Sequence, residues 1–210
     1  TDPVANDTGV DRTGPLVLRM PDRVRPSVGM LRLLEGSVEV AAATHVDLIR
    51  CEVSVEAASP LASDKEHTLE AEGLVGFSSD VMEAPFAVSF TTGQQAPVVQ
   101  PPSPPSFSEV YTRLIATRCS GCHAGATAAA GLDLSSPTLA EEGLRTGRSV
   151  FADDAPPYVV PGRHAASYLM HKVLGLPGTW GDPMPVAGDW PIDRDCQSPD
   201  AELRLLADWI

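Results

Sequence analysis

Apolar and polar side chains alternate in short bursts through the first ninety residues. Leu16-Val17-Leu18-Arg19-Met20 is followed by the turn-prone Pro21-Asp22, and Ser37-Val38-Glu39-Val40 alternates strictly. Residues 45–55 mix alternating and continuous apolar stretches, and Thr68–Ala71 and Phe86–Phe90 complete the series. Period-two runs broken by Pro, Gly, Ser and Asp predict short strands, and their regular spacing predicts a β-sandwich. Past residue 100 the period changes. Ser106-Phe107-Ser108-Glu109 has the form of a capping box, with Val110, Leu114 and Ile115 forming an apolar face behind it. A second helix is predicted from about Ala165 to Leu174, where Leu169, Met170, Val173 and Leu174 form a core stripe. At the chain end Ser198-Pro199-Asp200 reads as N-cap, N1 proline and N2 acid. Leu203, Leu206, Ala207 and Ile210 follow at helical spacing.

Between the halves lies PVVQPPSPP at 97–105, five of whose nine residues are proline. Proline fixes φ and removes a donor, so this stretch is expected to be an extended spacer. The expected organisation is a tether at 1–14, a β-sandwich at 15–95, a linker at 96–106 and a helical domain at 107–210.

Charge narrows the function. The chain has 28 Asp+Glu against 15 Lys+Arg. Residues 1–100 hold 15 acidic and 7 basic side chains, and residues 101–210 hold 13 and 8, so both halves are acidic. Phosphate binding needs basic patches, so no nucleic acid is expected as a partner. A partner steered by charge would present a basic face. No run of eighteen apolar residues is present, so no transmembrane segment is expected.

The chemistry concentrates at 119–123, Cys-Ser-Gly-Cys-His. C-x-x-C-H is the signature of covalent c-type haem attachment. Cys119 and Cys122 would bond the two vinyl groups, and His123 would reach the iron from the same side. A zinc site would need a second Cys/His pair at finger spacing, and a thioredoxin-like motif would need a βαβ context. The cofactor expected is therefore one haem c. Haem of this type is attached outside the cytoplasm in bacteria, so a leader was removed on this reading. The polar start, rich in Asp and Thr, then reads as a surface tether, compatible with a lipid anchor on the removed segment. The remaining cysteines, Cys51 and Cys196, either pair, as spare cysteines do in exported proteins, or are buried as free thiols.

Two resemblances follow from these residues. Pro60-Leu61, Gly73-Leu74, Ser79-Asp80, Met82 and Ser89-Phe90-Thr91-Thr92-Gly93 resemble a bacterial Ig-like domain of the S-layer type. Such domains are spacers or binding modules without catalytic residues, which implies a mount; His45 and His67 are then strand or surface residues. Residues 107–210 resemble class I-like monohaem cytochrome c domains of large multidomain bacterial proteins. The matching residues are the 119–123 motif, Gly131-Leu132-Asp133-Leu134, Val160-Pro161-Gly162, Ser167-Tyr168-Leu169, Met184-Pro185 and Leu206-x-x-Trp209-Ile210. Asp189–Pro199, with its cysteine, is an insertion relative to that pattern. Together these imply a multidomain fold: an all-β Ig-like sandwich followed by an all-α cytochrome c fold.

His123 is the expected proximal ligand, its other ring nitrogen bonded to a backbone carbonyl within 124–137. The sixth ligand is expected to be Met184, held between two prolines, where the resemblance also puts its methionine. Met170, His164, His171 and an open site are the alternatives. The resemblance makes Leu132 and Leu134 a haem wall. Tyr168 and Leu169 stand on the helix expected to back the distal side. Arg163, Trp180 and Trp190 have N–H groups suited to propionates, the two tryptophans being equally suited as loop anchors; Trp209 reads as core.

The function these residues suggest is an extracytoplasmic monohaem electron carrier on an Ig-like spacer, periplasmic or on the outer face, serving a respiratory or photosynthetic chain. With both axial positions filled it would not be an enzyme. Its partners would be redox proteins, or a larger membrane-associated complex of which it is a subunit. In the second reading the chain is a haem-bearing interaction subunit of a redox or surface assembly. In the third, with an open sixth position, it is a gas sensor or haem enzyme.

Overall fold

The computed structural model describes residues 2–26, 29–94, 103–151, 154, 156–186, 196 and 200–210. The chain divides into two units, Thr1–Pro102 and Ser103–Ile210. Most of the expected proline spacer, residues 97–102, lies outside the described residues, as do Trp190, Ser198 and Pro199.

All the named strands lie in the first unit. They are β1 (Thr8–Val10), β2 (Leu16–Arg19), β3 (Met30–Glu35), β4 (Val38–Glu39), β5 (Ala42–Asp47), β6 (Glu52–Ala57), β7 (Glu66–Glu72) and β8 (Phe86–Thr92). They form a five-stranded sheet ordered β1-β8-β7-β3-β4 and a three-stranded sheet ordered β2-β6-β5. The larger sheet is mixed, because β1 pairs with β8 in parallel while its other pairings are antiparallel. β1 lies within the stretch expected to be a tether.

Period two explains the core. Leu16 and Leu18 of β2, Val53 and Val55 of β6, Leu69 and Ala71 of β7, and Val88 and Phe90 of β8 all belong to one buried cluster. A strand sends alternate side chains to opposite faces, so these pairs line the inner face. His67 falls in the same phase of β7 and is buried; its ring stacks on Phe90 with centroids 5.7 Å apart.

The apolar stretch at 45–55 divides into two strands. Asp47 makes the turn: its Oδ1 accepts from the N–H groups of Ile49 and Arg50, and Cys51 takes φ 52°. Asx side chains that bond the backbone ahead of them initiate turns.

The second unit contains α1 (Phe107–Val110), α2 (Pro137–Thr146), α3 (Tyr168–Leu174) and α4 (Ala201–Trp209). Ser106 caps α1 by accepting from the Glu109 N–H, and Ser136 caps α2 ahead of Pro137. α3 ends where Gly175 turns left-handed at φ 60°. Asp200 caps α4, its Oδ1 accepting from Glu202 N–H and Leu203 N–H. Trp209 meets Phe107 at a tilt of 48° with centroids 4.9 Å apart, and lies under the Arg145 guanidinium at 4.7 Å. Among the described residues no helix is long and apolar enough to cross a membrane.

The expected fold class does not survive. The four α-helices have only 4, 10, 7 and 9 residues. The helix expected to run α-helically from Ser106 into Cys119 becomes π-helical over Tyr111–Cys119. Much of the second unit is 3-10 turns and irregular chain, with an isolated bridge between Arg148 and Pro157. A distinct all-α cytochrome c domain behind an all-β sandwich is therefore replaced by mixed sheet and short helices. The physical reason is punctuation. Pro156, Pro157, Pro161, Gly162, Pro177, Gly178, Gly181, Pro183 and Pro185 interrupt the helical period, leaving few stretches long enough for a stable helix.

Candidate functional site

Residues 119–123 close the π-helical turn and open a loop that returns to its own start. The N–H groups of Cys122 and His123 both donate to the Cys119 carbonyl, at 3.2 and 3.1 Å. Ser120 Oγ donates to the Leu134 carbonyl at 2.9 Å, and Tyr111 Oη donates to the same oxygen at 3.3 Å. Leu134 N–H donates in turn to the His123 carbonyl at 2.7 Å. Backbone bonds and two hydroxyls thus draw Cys119, Cys122, His123, Leu132 and Leu134 into one loop. Leu134 is buried, whereas Leu132 is half-buried, its Cδ1 close over Gly143 of α2.

His123 Nδ1 lies 3.3 Å from the Leu132 carbonyl oxygen. A carbonyl only accepts, so Nδ1 is the donor in this bond, and in the neutral ring the lone pair is then on Nε2. Burial pushes the Cys119 thiol up to about 11, so it stays protonated at neutral pH. Cys122 is exposed.

Asp133 is the loop's acid. Hydrogen bonds from Ser135, and then from the Gly125 N–H, hold its carboxyl below the usual carboxylate range. A carboxylate depressed in the folded state stabilises above its unfolded value and loses that contribution as pH falls through its folded value. The Gly125 and Ser135 amide signals are therefore expected to titrate together below pH 3.8. Titration at or above that value would remove Asp133 from its bonding role.

Arg163, Tyr168, Leu169 and Met184 lie on or beside α3. Tyr168 is buried and its Oη accepts from Trp180 N–H at 3.2 Å; Leu169 N–H donates to Tyr158. Arg163 is exposed, and its carbonyl accepts from Ser167 Oγ. Met184 is half-buried, and its N–H donates to the Lys172 carbonyl at 3.0 Å. Lys172 also extends its ammonium to the carbonyls of Trp180 and Asp182, at 2.6 and 2.5 Å. Lys172 therefore grips both sides of the loop leading to Met184, a role with no motif to announce it. Met170 is fully buried on α3, and His171 Nε2 lies 2.7 Å from the Ala165 carbonyl oxygen.

The cofactor expectation is corrected at this point. Among the described residues, no group of three or more His, Cys, Asp or Glu side chains could hold a metal ion. Cys119 and Cys122 are free thiols, and the disulfide-bonded cysteines are the other two, Cys51 and Cys196. One haem c bonded through Cys119 and Cys122, with His123 and Met184 on iron, is thus not the assembled centre found. Local composition is the reason. His123 is followed by Ala124, Gly125, Ala126, Thr127 and then Ala128–Ala130, which supply no ligating side chain. Asp133, the nearest acid in sequence, is engaged by backbone N–H groups.

The disulfide is compatible with an extracytoplasmic protein. No protein-family model and no curated protein matches this chain.

Proposed function

We propose that this chain is an extracytoplasmic electron-transfer protein whose redox locus is the Cys119–His123 loop. The observation that carries the reading is the imidazole: His123 has Nδ1 on the Leu132 carbonyl and Nε2 left as a base, directly after two cysteines at C-x-x-C spacing. That arrangement holds the ring in one orientation beside two cysteines. Thiol–disulfide exchange led by Cys119 is disfavoured, because burial pushes its thiol up to about 11. The first unit serves on this reading as a mount, and the acidic surface directs the carrier toward redox proteins with a basic face.

The test is the absorption of the purified full chain, oxidised and then reduced. A reversible absorbance change, altered by replacing His123 with Ala, is the expected result. A colourless chain that accepts no electrons overturns the reading. A colourless chain in which only the two thiols cycle also overturns it, in favour of thiol–disulfide exchange.

A further inference from the structure

Two sheets leave four edges in the first unit: β1 and β4 on the larger, β2 and β5 on the smaller. Exposed edges invite another strand, and proteins blunt them by shortening, covering or charging them. β1 has three residues and β4 has two. The outer edge of β2 is covered, since Asp2 N–H donates to the Val17 carbonyl and Val17 N–H donates to the Asp2 carbonyl, at 2.8 and 2.7 Å. Among the described residues β5 is neither shortened nor covered, and its carboxylate, Asp47, is bonded in the turn that follows it. It runs six residues, Ala-Ala-Thr-His-Val-Asp, without proline or lysine.

The ladder fixes which of its backbone groups are free. Ala58 N–H donates to the Ala41 carbonyl, and the register continues as Ala42↔Ala57 through Asp47↔Glu52. Antiparallel pairs alternate between bonded and non-bonded. Ala43, His45 and Asp47 therefore bond β6, while Ala42, Thr44 and Val46 turn their N–H and C=O groups outward. The opposite side of β6 agrees, because the Met20-to-Cys51 bond phases Val53 and Val55 toward β2. Residues 42–45 are exposed in succession, where a strand under a second sheet would bury alternate residues. Among the described residues of the first unit, this half of β5 therefore projects past the opposing sheet, open along its edge and on both faces.

Charge selects the occupant. Glu56 lies across from Ala43 on β6, with the His45 imidazole 3.8 Å from its carboxylate, and Glu39 is exposed on β4. A second copy would bring another net −13 to an acidic surface. We propose that β5 is a docking strand to which an extended, basic segment of a partner protein adds by backbone pairing. Main-chain bonds to Ala42, Thr44 and Val46 give the affinity, and Lys or Arg at alternate positions meets Glu56. This inference is independent of the electron-transfer reading.

The test is a titration of the isotopically labelled full chain with synthetic peptides of about ten residues, a strand's length, alternating Thr-Lys or Thr-Glu. The Lys peptide is expected to shift the Ala42, Thr44 and Val46 amides and protect them from exchange, with the Glu peptide inert. Thr44→Pro removes the central outward donor without breaking a ladder bond, as edge positions allow. It is expected to weaken binding about tenfold or more. Ala43→Lys, which gains Glu56 as a cross-strand partner and so keeps the fold, is expected to repel the Lys peptide, whereas Ala43→Glu is not. Absence of shifts at β5, equal binding of the Glu peptide, or full binding by Ala43→Lys overturns the proposal. Self-association through β5, lost in Thr44→Pro by sedimentation, also overturns it and assigns the edge to a second copy.

Discussion

Phe90→Ala is expected to unfold the first unit at markedly lower denaturant than the parent chain. The ring is 1 % exposed and sits in the cluster formed by Leu33, Leu69, Val88 and their neighbours. Truncating such a ring forfeits transfer free energy and leaves a cavity, at a cost of about 3–5 kcal/mol. A second loss adds to this, because Phe90 is the stacking partner of His67, whose Nε2 is buried and has no hydrogen bond. Water admitted to the cavity would solvate that nitrogen and offset part of the cost. The measurement is denaturant unfolding followed by resolved signals from each unit, since a chain of two units need not melt as one. Amide signals of β7 and β8 should be lost well before those of α2 and α3. Unchanged melting of β7 and β8 would mean that Phe90 does not anchor the sandwich core.

Gly147→Ala is expected to destabilise the second unit, by a smaller amount. Gly147 ends α2 with an ordinary φ of −79°, so backbone freedom is not its purpose. Space is. A Cβ there would collide with the Gly143 carbonyl oxygen and press on the Tyr158 ring at 2.9–3.0 Å. The Gly147 carbonyl also accepts from Tyr158 N–H, and the Arg148–Pro157 bridge follows directly. A backbone oxygen and a ring tied by adjacent bonds have little room to yield, so the substitution costs about 1–3 kcal/mol as overpacking. Thermal unfolding of α2 reads the effect. A melting point unchanged from the parent would show that the 147–158 contact relaxes freely.

The sequence made some features legible and hid others for identifiable reasons. Alternation exposed the cores of β2, β7 and β8 because one face of each is apolar. β3 was not visible as a strand, since Leu31, Leu33 and Leu34 break strict alternation and the strand is recognised only by its pairing with β7. The Asp47–Cys51 turn carries neither Gly nor Pro, so β5 and β6 read as one stretch. α2 did carry a signal, Ser136 before Pro137, the same grammar that suggested a cap at Ser198-Pro199, where Asp200 is the observed cap. At the candidate site the motif located the loop and a carbonyl partner for His123. It did not reveal Ser120 and Tyr111 converging on the Leu134 carbonyl, because such bonds depend on chain path. The all-α expectation came from the family resemblance rather than from periodicity, and it did not account for the proline- and glycine-rich stretches that separate the short helices.

The grip of Lys172 on its loop has a practical consequence for chemical labelling. The chain has two lysines, Lys65 and Lys172. Amine-directed dyes, crosslinkers and surface couplings therefore have few side-chain targets, and one of them is the ammonium bonded to the Trp180 and Asp182 carbonyls. Acylating that nitrogen removes its charge and most of its donor capacity, freeing the segment that leads to Met184. Material tagged or immobilised through amines would thus be a mixture in which one subpopulation has lost a loop anchor, whereas coupling through carboxylates leaves that anchor intact.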